Sequence, residues 1–102
     1  MKYIEYKLDY HADVENDIYE SFLWYEMQEE GLGKKLIANI KQKIAQIVAM
    51  PEAYSVKSKK QYREAIVEKF PFTITYKIFA KKNTLFISSI HHQSKDPDKK
   101  YR

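Results

Sequence analysis

Hydrophobic spacing along the 102-residue chain changes period twice, and the changes divide it into six elements. From Tyr3 to Leu8 polar and apolar residues alternate, with Ile4, Tyr6 and Leu8 on one side, which predicts a first strand. Val14, Ile18, Phe22 and Tyr25 then recur at helical spacing, and Asp13, Glu15 and Asp17 put negative charge where a helix N-terminus favours it. Gly31 ends that helix. Beyond Gly31-Leu32-Gly33, residues Leu36, Ile40, Ile44, Ile47 and Val48 form the apolar stripe of a second helix, which must stop before Pro51. Two helices joined by so short a turn make an antiparallel hairpin.

Residues 51–61 are polar and without sustained period, so they are expected to be a connecting loop. Period two then returns in Tyr62 to Phe70, Thr73 to Ala80 and Thr84 to His92, separated at Phe70-Pro71 and at Lys81-Lys82-Asn83. The order β-α-α-β-β-β predicts an α+β fold: a small antiparallel sheet packed against an N-terminal helical hairpin. With no internal repeat or linker, residues 1–102 are expected to be a single domain.

Composition narrows the chemistry. A chain that is 44% hydrophobic and 15% aromatic can bury a modest core. It has no cysteine, so disulfides, thiolate metal sites and cysteine nucleophiles are excluded, and a reducing cytosol suits it. The N-terminus lacks the apolar run of a signal peptide, and no stretch approaches the ~20 apolar residues of a membrane span. A soluble cytoplasmic protein with no membrane partner is expected. Charge is uneven: residues 1–56 carry six Lys and Arg against ten Asp and Glu, while residues 57–102 carry twelve against four. The second half is the one suited to phosphate. The plainer account of Lys57, Lys59, Lys60, Lys81 and Lys82 is that they keep loops soluble.

Function should sit on the sheet face that the hairpin leaves open. Arg63, Ala65 and Val67 share one face of their strand and Tyr62, Glu64 and Ile66 the other, but both sets contain apolar residues, so which face is open stays undecided. Arg63 is either a site residue or a surface arginine paired with Glu64 or Glu68. Adjacent His91 and His92 point to opposite faces and cannot share a metal ion; one of them is suited to proton transfer near neutral pH. No metal or cofactor is expected. Asp13 and Asp17 are explained by the helix dipole, Ser88 and Ser89 lack a glycine-rich elbow, and two glycines do not make a phosphate loop. Trp24 and Tyr25 are expected in the core between helices and sheet. The remaining candidates are Arg63, His91, His92, Lys95, Tyr101 and Arg102. Metal-free RNA cleavage uses such a set: a base for the 2′-hydroxyl, cations for the crowded phosphate and an acid for the leaving oxygen.

Several ordered motifs carry more than composition does. Trp24-Tyr25-Glu26, Gly31-Leu32-Gly33, Arg63, Phe70-Pro71-Phe72 with Ile74 and Tyr76, Ile90-His91-His92 and Asp96-Pro97 together resemble the RelE/ParE superfamily of toxins from bacterial type II toxin-antitoxin pairs, closer to the ParE-like branch. Two departures stand out: Lys95 occupies a position usually arginine in that branch, and Lys100-Tyr101 replaces a tryptophan often found after Asp-Pro. The resemblance implies a growth-inhibiting toxin of the plasmid-stabilisation type, neutralised by a cognate antitoxin that folds as it wraps the toxin. It implies either poisoning of DNA gyrase, as ParE members do, or cleavage of messenger RNA on the ribosome, as RelE members do; a non-toxic nucleic-acid-binding or interaction module is the remaining alternative. A homodimer or a hetero-oligomer with the antitoxin are both compatible with it.

Overall fold

The computed structural model describes residues 5–94 and residue 101. Strand β1 (Lys7–Tyr10) leads into helices α1 (Val14–Gln28) and α2 (Leu32–Ala49), and strands β2 (Arg63–Ile66), β3 (Phe72–Phe79) and β4 (Thr84–His92) follow. Single 3-10 turns lie at Pro51–Ala53 and Ala80–Lys82. This is the expected α+β order. The last three strands are antiparallel neighbours, whereas β1 runs parallel to β4, so the sheet is mixed with strand order β1-β4-β3-β2.

Two strand boundaries differ from those the alternation predicts, and long-range pairing explains both. The first strand occupies Lys7–Tyr10 rather than Tyr3–Leu8, because Lys7 lies against Thr84 and Tyr10 against Ile87; residues 1–4 lie outside the described part. β2 stops at Ile66 rather than Phe70, since the chain must turn back for β3, and Lys69 takes up left-handed backbone (φ 67°) to do so.

The hairpin is closed by a carboxylate and a missing side chain. Gly31 has φ 88°, left-handed backbone that glycine adopts at least cost. The Glu26 carboxylate accepts hydrogen bonds from the amides of Gly31 and Lys34, each at 3.1 Å, so it satisfies two donors that a starting helix leaves without partners. Those bonds, the one from Gly31 first, hold the Glu26 carboxyl below its ordinary value. At Gly33 a Cβ would come within 2.5 Å of the Phe22 carbonyl oxygen, so the helices meet where only glycine fits. Trp24-Tyr25-Glu26 and Gly31-Leu32-Gly33 thus describe one joint.

Helix α2 supplies Leu36, Ile40 and Ile47 to the core, and α1 supplies Val14. Opposite them the row Ala65, Ile74 and Ile90 runs straight across β2, β3 and β4. Tyr25 reaches this core and meets Phe70 and Phe72 with ring centroids at 5.3 and 6.1 Å. Trp24 does not belong to the core as expected. It lies on the outward side of α1 and is 51% exposed, because a helix one layer thick can turn only one of two adjacent residues inward. No helix among the described residues is long and apolar enough to cross a membrane.

Candidate functional site

Directly opposed residues on neighbouring strands share a face of the sheet. Ala65, Ile74 and Ile90 meet the helices, so Arg63, opposite Tyr76, belongs to the covered side as well. Glu64, Thr75, Ser89 and His91 belong to the far side. A register shift after Thr75 pairs Tyr76 with Ile87 and leaves Ser88 as the extra residue, which keeps apolar side chains inward along the rest of β4.

Arg63 sits at the margin of the covered side, where its role is to hold a loop. Nη1 donates to the Tyr54 carbonyl at 2.5 Å and to the Glu52 carbonyl at 3.3 Å. Beside it the Tyr76 hydroxyl donates to the Pro51 carbonyl, and the Tyr54 and Tyr76 rings meet edge-on at 6.3 Å. Burial pushes the Tyr76 phenol well above its ordinary value, although the Arg63 charge opposes this. Both side chains therefore pin the segment that follows α2. Neither candidate acid pairs with Arg63: the Glu68 carboxylate is 3.3 Å from Lys43, and Glu64 accepts from Tyr101.

The far side carries a different group of residues. The Tyr101 hydroxyl donates to Glu64 Oε2 at 2.8 Å, and its ring lies 5.2 Å from that of Tyr62. Lys77 Nζ stands 5.6 Å from the Tyr62 ring centre and 5.3 Å from that of Phe79. Two strands away from β2, His91 is only 7% exposed, with Nδ1 3.0 Å from Ser89 Oγ. Between them the Thr75 hydroxyl is buried without a hydrogen-bond partner.

His92 turns inward, as alternation requires. Its ring stands edge-on to Phe72 at 5.4 Å, and Nδ1 accepts the Ser94 amide at 3.1 Å, so it closes the end of the sheet. Of the six candidates, Tyr101 and His91 share the far face, and Arg63 and His92 lie on the other. Lys95 and Arg102 lie outside the described residues. Sequence reasoning missed Tyr62 and Glu64 as the neighbours of Tyr101, and Lys77 over the Tyr62 ring; the signal was the parity of Ala65, the smallest inward residue of β2, which the apolar Ile66 and Tyr62 masked. Among the described residues no group of three His, Cys, Asp or Glu side chains is placed to hold a metal.

A family model described as the ParE toxin of the type II toxin-antitoxin system parDE matches residues 8–97. No curated protein matches. Among solved structures, the chromosomal ParDE toxin-antitoxin system from P. aeruginosa is similar with a TM-score of 0.74 at 15% identity, over 88% of this chain and 98% of that one. A mutant of the E. coli toxin RelE in the free state gives 0.68 at 14% identity, over 93% and 90%. The isolated E. coli RelE toxin gives 0.67 at 15%, over 91% and 89%. At these identities the three structures speak for the fold.

Proposed function

This chain belongs to the ParE family of toxins from type II toxin-antitoxin systems, and from that premise we propose that it arrests growth by poisoning DNA gyrase. One observation favours this over RNA cleavage. Cleavage needs an acid, a base and a cation facing one phosphate, whereas Arg63 is spent on the Glu52 and Tyr54 carbonyls on the covered side and His91 is buried against Ser89. A poison needs only a surface that holds its target in one state.

A cognate antitoxin is the second partner. The crease between α1 and α2, lined by Ile18, Phe22, Ile37 and Ile44, offers the apolar bed that an amphipathic antitoxin helix would fill. Ribosome-dependent RNA cleavage is the alternative, favoured by the Tyr101 phenol and Glu64 carboxylate that meet on the far face.

Induced expression with two readouts decides between them. Gyrase poisoning yields chromosomal double-strand breaks with messages intact. Fragmented messages in cells with unbroken DNA would overturn the gyrase reading in favour of the nuclease.

A further inference from the structure

Four chain segments converge on one end of the sheet, where β1, β2 and β4 begin and β3 finishes. Phe79 is opposite Thr84, and Thr84 is opposite Lys7, so the last residue of β3 and the first of β1 flank β4 at this end. The Lys7 amide also donates to the Asn83 carbonyl at 2.8 Å, which ties β1 to the turn bearing Lys81 and Lys82. On the other flank the Lys57 amide donates to the Tyr62 carbonyl at 2.7 Å and the Gln61 amide to the Ser58 carbonyl at 3.0 Å, forming a tight turn with Lys59 and Lys60 at its tip. The contact of Lys77 with the Tyr62 ring joins that turn to β3.

Topology has therefore gathered Lys57, Lys59, Lys60, Lys77, Lys81 and Lys82 at one end, with Lys7 beside them. Three interstrand spacings of about 5 Å each make this end roughly 15 Å wide. All but Lys77 are exposed. Among the described residues no carboxylate stands within ion-pairing distance of any of them. The nearest acids by register, Asp9 and Glu64, accept the Tyr10 amide and the Tyr101 hydroxyl and form no ion pair with these lysines.

We propose that this lysine end is a non-specific binding site for the phosphodiester backbone of duplex DNA; only the identity of that DNA, the segment held by gyrase, rests on the function proposed above. The chemistry favours a phosphate backbone over an acidic peptide. The charges that face outward here are lysines, mobile point charges that can follow a row of phosphates without fixed geometry, while Arg63, which begins β2 at this end, is held by the Glu52 and Tyr54 carbonyls. It favours a duplex over a single strand as well. Single strands are gripped by stacking bases on open aromatic faces, and here the Lys77 ammonium lies over both Tyr62 and Phe79. Binding that neutralises clustered phosphates releases counterions, so affinity must fall steeply with salt.

The test is binding of the purified toxin to a labelled duplex of about two helical turns, across about 50–200 mM salt. Contact with about five phosphates gives a log-log slope near −4.5. Lys81→Gln with Lys82→Gln should flatten the slope by about 1.8, and Lys59→Gln with Lys60→Gln by a similar amount. Lys34→Gln with Lys35→Gln, in the first turn of α2, should leave it unchanged. Equal slopes for all four proteins would overturn the proposal, as would tighter binding to single-stranded RNA than to the duplex at the same salt. Loss of antitoxin affinity in the lysine variants with an undiminished DNA slope would assign this end to an acidic protein and also overturn it. Toxicity reads the other question separately: a wild type that binds DNA yet breaks no chromosomes would refute the gyrase reading and leave this site standing.

Discussion

Gly33→Ala opposes two effects of known size. In an exposed helix, alanine is about 1 kcal/mol better than glycine. Here the added methyl would lie 2.5 Å from the Phe22 carbonyl oxygen, 2.7 Å from Glu26 Cγ and 2.8 Å from Phe22 Cδ1. The two side-chain atoms can swing away, but the carbonyl is part of α1 and moves only if the hairpin opens. Forcing a methyl into a filled contact costs about 1–3 kcal/mol, and a backbone obstacle puts the cost toward the upper end. The clash therefore outweighs the propensity gain by about 1–2 kcal/mol. For a domain of roughly this size that lowers Tm by about 5–15 °C. Thermal and urea unfolding followed by circular dichroism would measure it. Gly31→Ala is the control: its Cβ meets nothing within 4 Å, but φ 88° makes any side chain there cost about 1–2 kcal/mol from backbone strain alone. A Gly33→Ala protein melting at or above the wild-type temperature would refute the close approach of the helices.

Two further outcomes follow from the segment that Arg63 and Tyr76 hold. Arg63→Ala should lower stability by about 1–2 kcal/mol, the lower part of the range for charge-assisted bonds because the side chain is half-exposed, and Arg63→Lys should recover only part of it; an unchanged urea midpoint in Arg63→Ala would sink the loop-holding role. For Tyr76 the folded phenol keeps its proton above the ordinary value, so its contribution is complete below pH ~10 and is lost as pH rises beyond that, where the unfolded chain ionises first. Stability should accordingly fall above pH ~10, and Tyr76→Phe should flatten that fall while costing about 1–3 kcal/mol at neutral pH; identical alkaline slopes would count against burial of the hydroxyl.

The helices were legible from apolar residues at helical spacing, and β3 and β4 from runs of β-branched and aromatic residues that the sheet buries on both faces over most of their length. β1 was only partly legible. Its alternation begins before Lys7, but its limits are set by β4, and a strand carries no local sign of a parallel partner so far along the chain. The far-face group was hidden for a similar reason: Tyr62 and Ile66 are as apolar as Ala65 and Val67, so hydropathy does not reveal which side of β2 the helices cover. Arg63 looks like a surface residue in sequence, since the carbonyls it binds belong to Glu52 and Tyr54, in a segment with no period of its own. Tyr101 was picked out by its chemistry. Its contact with Glu64 depends on where the chain returns, which no spacing rule encodes.

The parallel pairing of β1 with β4 also sets when this protein can come into being. β1 is made well before its partner, residues 84–92, and β4 is the strand that separates β1 from β3. Until it emerges, the hairpin can form but has no completed sheet to lie on, and both β1 and β3 present bare edges. Closing so long a loop comes late in folding because its entropy must be met before the contacts repay it. A chain interrupted before residue 84 therefore lacks the strand that joins β1 to β3, and such a chain is a substrate for proteolysis rather than a folded toxin.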